Sequence, residues 1–141
     1  MKTWLRNNIL FVAGLQALVA TLGSLYFSEV MLLTPCILCW YQRIAMYPLI
    51  VLIFTGIFSK DTKVYRYILP TSLIGWGIAL YHNLLYWNIL PESAATCRAG
   101  ISCTVRYIEW VGFITIPLMS LVAFSVIILC MLIYRKIIKE L

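Results

Sequence analysis

Four long apolar stretches almost free of charge constrain this chain more than any other feature. A helix that crosses the hydrocarbon core of a bilayer needs roughly 20 apolar residues. Residues 9–27 carry no charge, and residues 36–58 carry only Arg43, close to their start. Residues 67–90 carry no formal charge but include His82. Residues 110–134 are again uncharged, with Pro117 inside, a placement that neighbouring helices tolerate in a membrane. Short connections separate the stretches, so consecutive helices should be antiparallel neighbours. The expected fold is all-α: a four-helix transmembrane up-down bundle forming one domain over residues 1–141. Composition excludes a soluble alternative. Hydrophobic residues make up 63% of the chain and charged residues 11%, against about half and a quarter in a soluble domain. The first stretch lacks a small-residue cleavage site and runs on into Tyr26, Phe27 and Glu29, so it is expected to stay as a span.

Lys and Arg favour the cytoplasmic side of a membrane. Lys2 and Arg6 precede the first span, Lys60, Lys63 and Arg66 lie between the second and third, and Arg135, Lys136 and Lys139 follow the fourth. All of these fall on one side of an up-down bundle. The other side has Arg98 and Arg106, with Arg43 at a helix start. Both termini are therefore expected in the cytoplasm of a multi-pass cell-membrane protein. Trp4, Tyr65, Tyr67 and Tyr134 would mark the inner interface, and Trp40, Tyr41, Tyr86, Trp87 and Trp110 the outer one. The net charge of +6 is thereby explained by topology, and no nucleic-acid partner is expected.

The five cysteines sort by side. Cys36, Cys39, Cys97 and Cys103 fall on the outer side, where disulfides persist. Cys130 falls near the inner end of the fourth span. A disulfide joins Cα atoms about 4.4–6.8 Å apart, whereas the hydrocarbon core is about 30 Å thick. Cys130 cannot pair with the other four and reads as a small packing residue. Cys36 and Cys39 form a C-x-x-C motif at a helix start. A spacing of three puts both sulfurs on one face, and the N–H groups and positive dipole end of a helix N-terminus favour a thiolate. Arg43, four residues after Cys39, shares that face and could place a cation beside the thiolate or beside a reduced cofactor; otherwise it only reaches for the headgroups. His82 falls at a similar depth in the third span, as a functional group or as an ordinary interhelical hydrogen bonder. Gln16 reads as interhelical glue. Two other readings of the four outer cysteines stand beside redox chemistry: disulfides that only staple a non-catalytic four-span scaffold, and a four-cysteine zinc site, which the five-residue gap between Cys97 and Cys103 fits poorly. No metal is expected.

The string Pro35-Cys36-Ile37-Leu38-Cys39-Trp40-Tyr41-Gln42-Arg43 resembles the signature of the DsbB family of disulfide bond formation proteins. The likeness extends to four spans, cytoplasmic termini and a second cysteine pair before the last span. It implies a quinone-dependent thiol oxidoreductase that reoxidises a soluble or membrane-anchored thioredoxin-like thiol oxidase, uses the membrane quinone pool, and so supports disulfide formation in secreted proteins. Cys36 and Cys39 match the quinone-proximal pair, with Cys39 at the quinone and Cys36 open to exchange. Arg43 matches the arginine associated with quinone reduction, and His82 lies in a region associated with quinone contacts. Cys97 would meet the partner and Cys103 would relay to Cys36. The short gap between Cys97 and Cys103 resembles the compact version of Gram-positive bacteria and places menaquinone ahead of ubiquinone. A vitamin K epoxide-reducing relative would have its C-x-x-C late in the bundle, whereas here it opens the second span.

Overall fold

The computed structural model describes residues 1–91, 102–104 and 114–141. Cys97, Arg98, Arg106 and Trp110 lie outside the described residues. Four helices follow one another: α1 (Lys2–Glu29), α2 (Ile37–Ser59), α3 (Tyr65–Tyr86) and α4 (Ile116–Glu140). Each packs on its neighbour in sequence, and α4 closes the ring against α1. The architecture is therefore an all-α up-down four-helix bundle.

One stripe of each helix builds the core. Leu10, Ala13 and Ala17 come from α1, Ala45, Leu49 and Ile53 from α2, and Phe124, Ile127, Met131 and Tyr134 from α4. These spacings of three and four keep the side chains on one helix face. Alanine and glycine let the backbones approach. A Cβ on Gly75 of α3 would meet the Phe124 ring at 2.3 Å, so the ring of α4 sits where a side chain of α3 would be.

The outside of the bundle is apolar as well. Phe11, Leu15 and Val19 of α1, Val51 and Phe58 of α2 and Leu129 of α4 are exposed. Such a surface is stable against lipid rather than water. Helices α1, α2 and α4 are each long and apolar enough to cross a membrane. At 22 residues, α3 has a comparable length but carries more polar side chains, and several of them point inward. Ser72, His82 and Asn83 are all nearly or fully buried.

The two ends of the bundle differ. At one end Lys2 pairs with Glu140 at 3.6 Å, and the Tyr134 hydroxyl donates to the Asp61 carbonyl at 3.3 Å. Both termini and the α2–α3 connection therefore meet there. At the other end lie the start of α2, the end of α3 and residues 102–104, where Cys36, Cys39 and Cys103 gather.

Candidate active site

Cys36 is the N-cap of α2. Its backbone is extended, and its sulfur accepts the Cys39 N–H at 3.4 Å. A thiol thus takes the place usually held by a Ser or Asp oxygen. A negative charge on this sulfur would be met by an N–H group and by the positive end of the helix. One turn on, Cys39 brings its sulfur to 3.0 Å from that of Cys36. Both are free thiols, Cys36 buried and Cys39 half-buried. Cys103 is disulfide-bonded and packs in one buried cluster with Cys36, Leu38 and Leu85. Cys130 is free, half-buried and packed against the main core.

His82 reaches the cysteines from α3. Its Nε2 lies 3.1 Å from the Cys103 carbonyl oxygen and 3.8 Å from the Cys36 sulfur. Its Nδ1 lies 3.0 Å from Nε2 of Gln42. The Cys36 and Cys39 sulfurs and a ring nitrogen fall within 4.8 Å of one another, a sulfur-and-nitrogen donor set. Next to His82, the Asn83 amide donates to the Ala79 carbonyl at 2.8 Å and to the Pro117 carbonyl at 2.9 Å, tying the start of α4 to α3. Thr115 caps α4 by accepting the Leu118 N–H at 3.4 Å.

Arg43 turns toward α1. Its Nε donates to the Ser24 hydroxyl at 2.8 Å and its Nη2 to the Ser24 carbonyl at 3.0 Å. The same Nη2 also donates to the Ser28 hydroxyl. The guanidinium lies 5.4 Å from the centre of the Trp40 ring, within cation–π range. One edge of the planar fork is therefore fixed by α1, and Nη1 makes no hydrogen bond among the described residues.

These groups border a single cavity of about 290 Å³ between α1, α2 and the start of α4. Cys36, Cys39, Arg43, His82 and Cys103 all line it, and Gln16 faces it from α1. Much of the remaining wall is apolar, including Val19, Phe27, Met46 and Ile116. Thr21 also lines it, and its buried hydroxyl has no hydrogen-bond partner among the described residues. An apolar chamber with a fixed cation, an unpaired hydroxyl and a dithiol suits a flat, mostly apolar molecule bearing hydrogen-bond acceptors.

The sequence points to Cys36, Cys39, Cys97, Cys103, Arg43 and His82 but assigns no role to Ser24, Ser28, Gln42 or Asn83. Ser24 and Ser28 stand four apart in an otherwise apolar helix, which was the available signal for a polar face. Gln42 sits between Tyr41 and Arg43 in the stretch that opens α2, where an uncharged amide carries no signal of its own.

Comparison with known proteins shows the family of the chain. A family model described as disulfide bond formation protein DsbB matches residues 6–134. Disulfide bond formation protein C of Bacillus subtilis is 44% identical over 129 residues, covering 90% of this chain and 94% of that protein. A probable disulfide formation protein of Deinococcus radiodurans is 41% identical over 131 residues, covering 87% of this chain and 86% of that protein. Another, from Metapseudomonas resinovorans, is 38% identical over 135 residues, covering 95% of this chain and 92% of that protein. No solved structure matches the chain significantly. With nearly its whole length inside the match, this membrane protein belongs to the DsbB family of disulfide bond formation proteins.

Proposed function

We propose that this protein reoxidises an extracytoplasmic thioredoxin-like thiol oxidase, soluble or membrane-anchored, and passes the electrons through two cysteine pairs to a membrane quinone, menaquinone ahead of ubiquinone. The observation that carries this reading is the reduced Cys36–Cys39 pair lining an apolar cavity whose wall also holds Arg43. In this reading the protein is a multi-pass protein of the cell membrane, with the cysteine end outside and both termini in the cytoplasm.

Thermodynamics requires an external sink. Structural disulfides sit below about −300 mV and a strongly oxidising thiol oxidase near −120 mV. Passing two electrons from that oxidase to an ordinary disulfide would be uphill by roughly 8 kcal/mol. A quinone bound in the cavity would supply a two-electron, two-proton sink. The chain's own residues would do the rest. Arg43 would hold an acceptor oxygen through the N–H groups that α1 leaves unused, and the Thr21 hydroxyl offers a second contact. Cys39 would face the quinone. Cys36, with the Cys39 N–H on its sulfur, would exchange with Cys103. Cys97 would take up the partner as a mixed disulfide and hand the exchange to Cys103.

The test uses the whole protein purified in mild detergent. Quinone should co-purify, be visible in the ultraviolet spectrum and become reduced when dithiol is added. Replacing Cys36, Cys39, Cys97 or Cys103 by Ser should abolish partner reoxidation, because each is one step in a series. Absence of quinone, with no partner reoxidation by the wild-type protein, would leave a non-catalytic scaffold stapled by disulfides.

A further inference from the structure

The exchange between the two cysteine pairs makes two demands. Cys103 must be held against Cys36, and in the second exchange Cys36 must leave as a thiolate. Gln42, His82, Cys36 and Cys103 meet at this junction, exposed by only 7%, 2%, 7% and 5%. Polar groups this deeply buried need partners, and the Cys103 carbonyl fixes where one of the protons must lie.

A backbone carbonyl can only accept. The 3.1 Å contact from His82 Nε2 to the Cys103 oxygen therefore puts the ring proton on Nε2. In the neutral ring Nδ1 is then an acceptor, and the Gln42 amide N–H at 3.0 Å supplies its donor. The opposite tautomer would turn a nitrogen lone pair toward the Cys103 oxygen and leave that buried carbonyl without this bond. Gln42 thus selects the tautomer whose N–H faces the Cys103 carbonyl and, at 3.8 Å, the Cys36 sulfur.

We infer that Gln42 and His82 form a latch that seats the Cys103 segment on Cys36 and directs the Nε2–H group at the exchanging sulfur. His82 touches that sulfur, and Gln42 is a positioning residue that acts through the ring. This inference rests on the exchange route proposed above. In that route the Cys103 thiolate attacks Cys36 of an oxidised Cys36–Cys39 pair. The Cys103–Cys36 bond forms, and the electron pair of the broken bond goes to Cys39. The Cys97 thiolate then attacks Cys103, and the pair of the second broken bond goes to the Cys36 sulfur. There the His82 Nε2–H and the Cys39 N–H receive the new charge. The Cys36–Cys39 disulfide is the only oxidant required.

The chain has one histidine, so nitrogen-15 labelling of histidine gives a single imidazole signal pair in the intact protein. The wild type should show the Nε2–H tautomer, and Gln42→Met, which keeps the length but loses the donor, should lose that preference. A wild-type ring protonated on Nδ1 alone would overturn the latch, even if every variant failed to fold. The second measurement places the Cys39→Ser, Cys97→Ser protein in glutathione buffers and reads how readily the Cys36–Cys103 disulfide forms. Adding Gln42→Met or His82→Phe should lower its equilibrium constant by about tenfold, as loss of the buried hydrogen bond that seats the Cys103 carbonyl beside Cys36 implies. Unchanged constants in both variants would overturn the latch and leave the exchange route standing. Failure of the disulfide to form with Gln42 and His82 intact would overturn the route itself, and the latch with it.

Discussion

At the scale of single residues, Arg43 shows how much a side chain's partners say about its use. A cation that merely reached for headgroups would be left free, yet α1 fixes its Nε and Nη2 through Ser24 and Ser28. Lysine could keep the charge at this place but not the planar fork. Arg43→Lys should therefore raise the KM for quinone, and Arg43→Ala more so. Loss of a charged hydrogen bond is worth about 1.5–3 kcal/mol, or roughly 10- to 150-fold. Ser24→Ala should shift the KM in the same direction by less, because Nη2 keeps the Ser24 carbonyl and Ser28. Single-turnover formation of the mixed disulfide with the partner should hardly change in any of the three. Wild-type quinone kinetics in Arg43→Ala would remove Arg43 from the proposed quinone site. The one-face relation of Cys36, Cys39 and Arg43 was legible because spacings of three and four depend only on the helix itself. The contacts of Arg43 with Ser24 and of His82 with Gln42 were not, because they arise where two helices meet, 19 and 40 positions apart in sequence.

At the scale of elements, α3 departs most from its apolar appearance in sequence. The expected span ran to residue 90, whereas the helix ends at Tyr86 and the chain turns back on itself, with Ile89 and Leu90 donating to the Leu84 carbonyl. Asn88 takes the left-handed conformation there with φ 54°, which asparagine tolerates better than most residues. Hydropathy registers how apolar a segment is, not that Ser72, His82 and Asn83 face inward and are buried. The glycines of α3 give a direct test of its packing. Gly75 lies against the fully buried Phe124 ring, which has no room to retreat, whereas Gly77 has nothing within 4 Å of the place a Cβ would take. Gly75→Ala should destabilise the bundle by about 1–3 kcal/mol, the usual cost of overpacking. Gly77→Ala should be neutral or stabilising by up to about 1 kcal/mol, since alanine is the better helix former. Unfolding midpoints in a single detergent would compare the two, and equal midpoints would mean that α3 and α4 are not as close as described. A stability loss in Gly75→Ala confined to the bundle, with the Cys36–Cys39 pair still titratable as two thiols, would separate packing from chemistry.

At the scale of the whole molecule, the bundle keeps Cys36, Cys39 and Cys103 at one end and its termini at the other. Cys130 lies 14 residues beyond Ile116, the first residue of α4. At 1.5 Å per residue it is about 21 Å along the helix from the end that holds Cys103, far beyond the reach of a disulfide. Cys130→Ser should therefore leave turnover nearly intact, and a folded variant without turnover would undo the separation by end. The same separation gives the topology its sharpest test. If the cysteine end faces outward, a cysteine placed in the α1–α2 connection as Met31→Cys should react with a membrane-impermeant thiol reagent in intact cells. A cysteine placed in the α2–α3 connection as Lys63→Cys should react only after permeabilisation. Both positions are exposed, so accessibility to the reagent depends on the membrane and not on burial in the protein. In the proposed orientation the cations at the terminal end face the cytoplasm, worth about 1 kcal/mol each near an anionic leaflet, and the cysteine end would meet the oxidising compartment. The reverse labelling pattern would put the Cys36–Cys39 pair against cytosolic reductants, where a thiol relay could run only toward reduction, and the proposed direction of electron flow would fail with it.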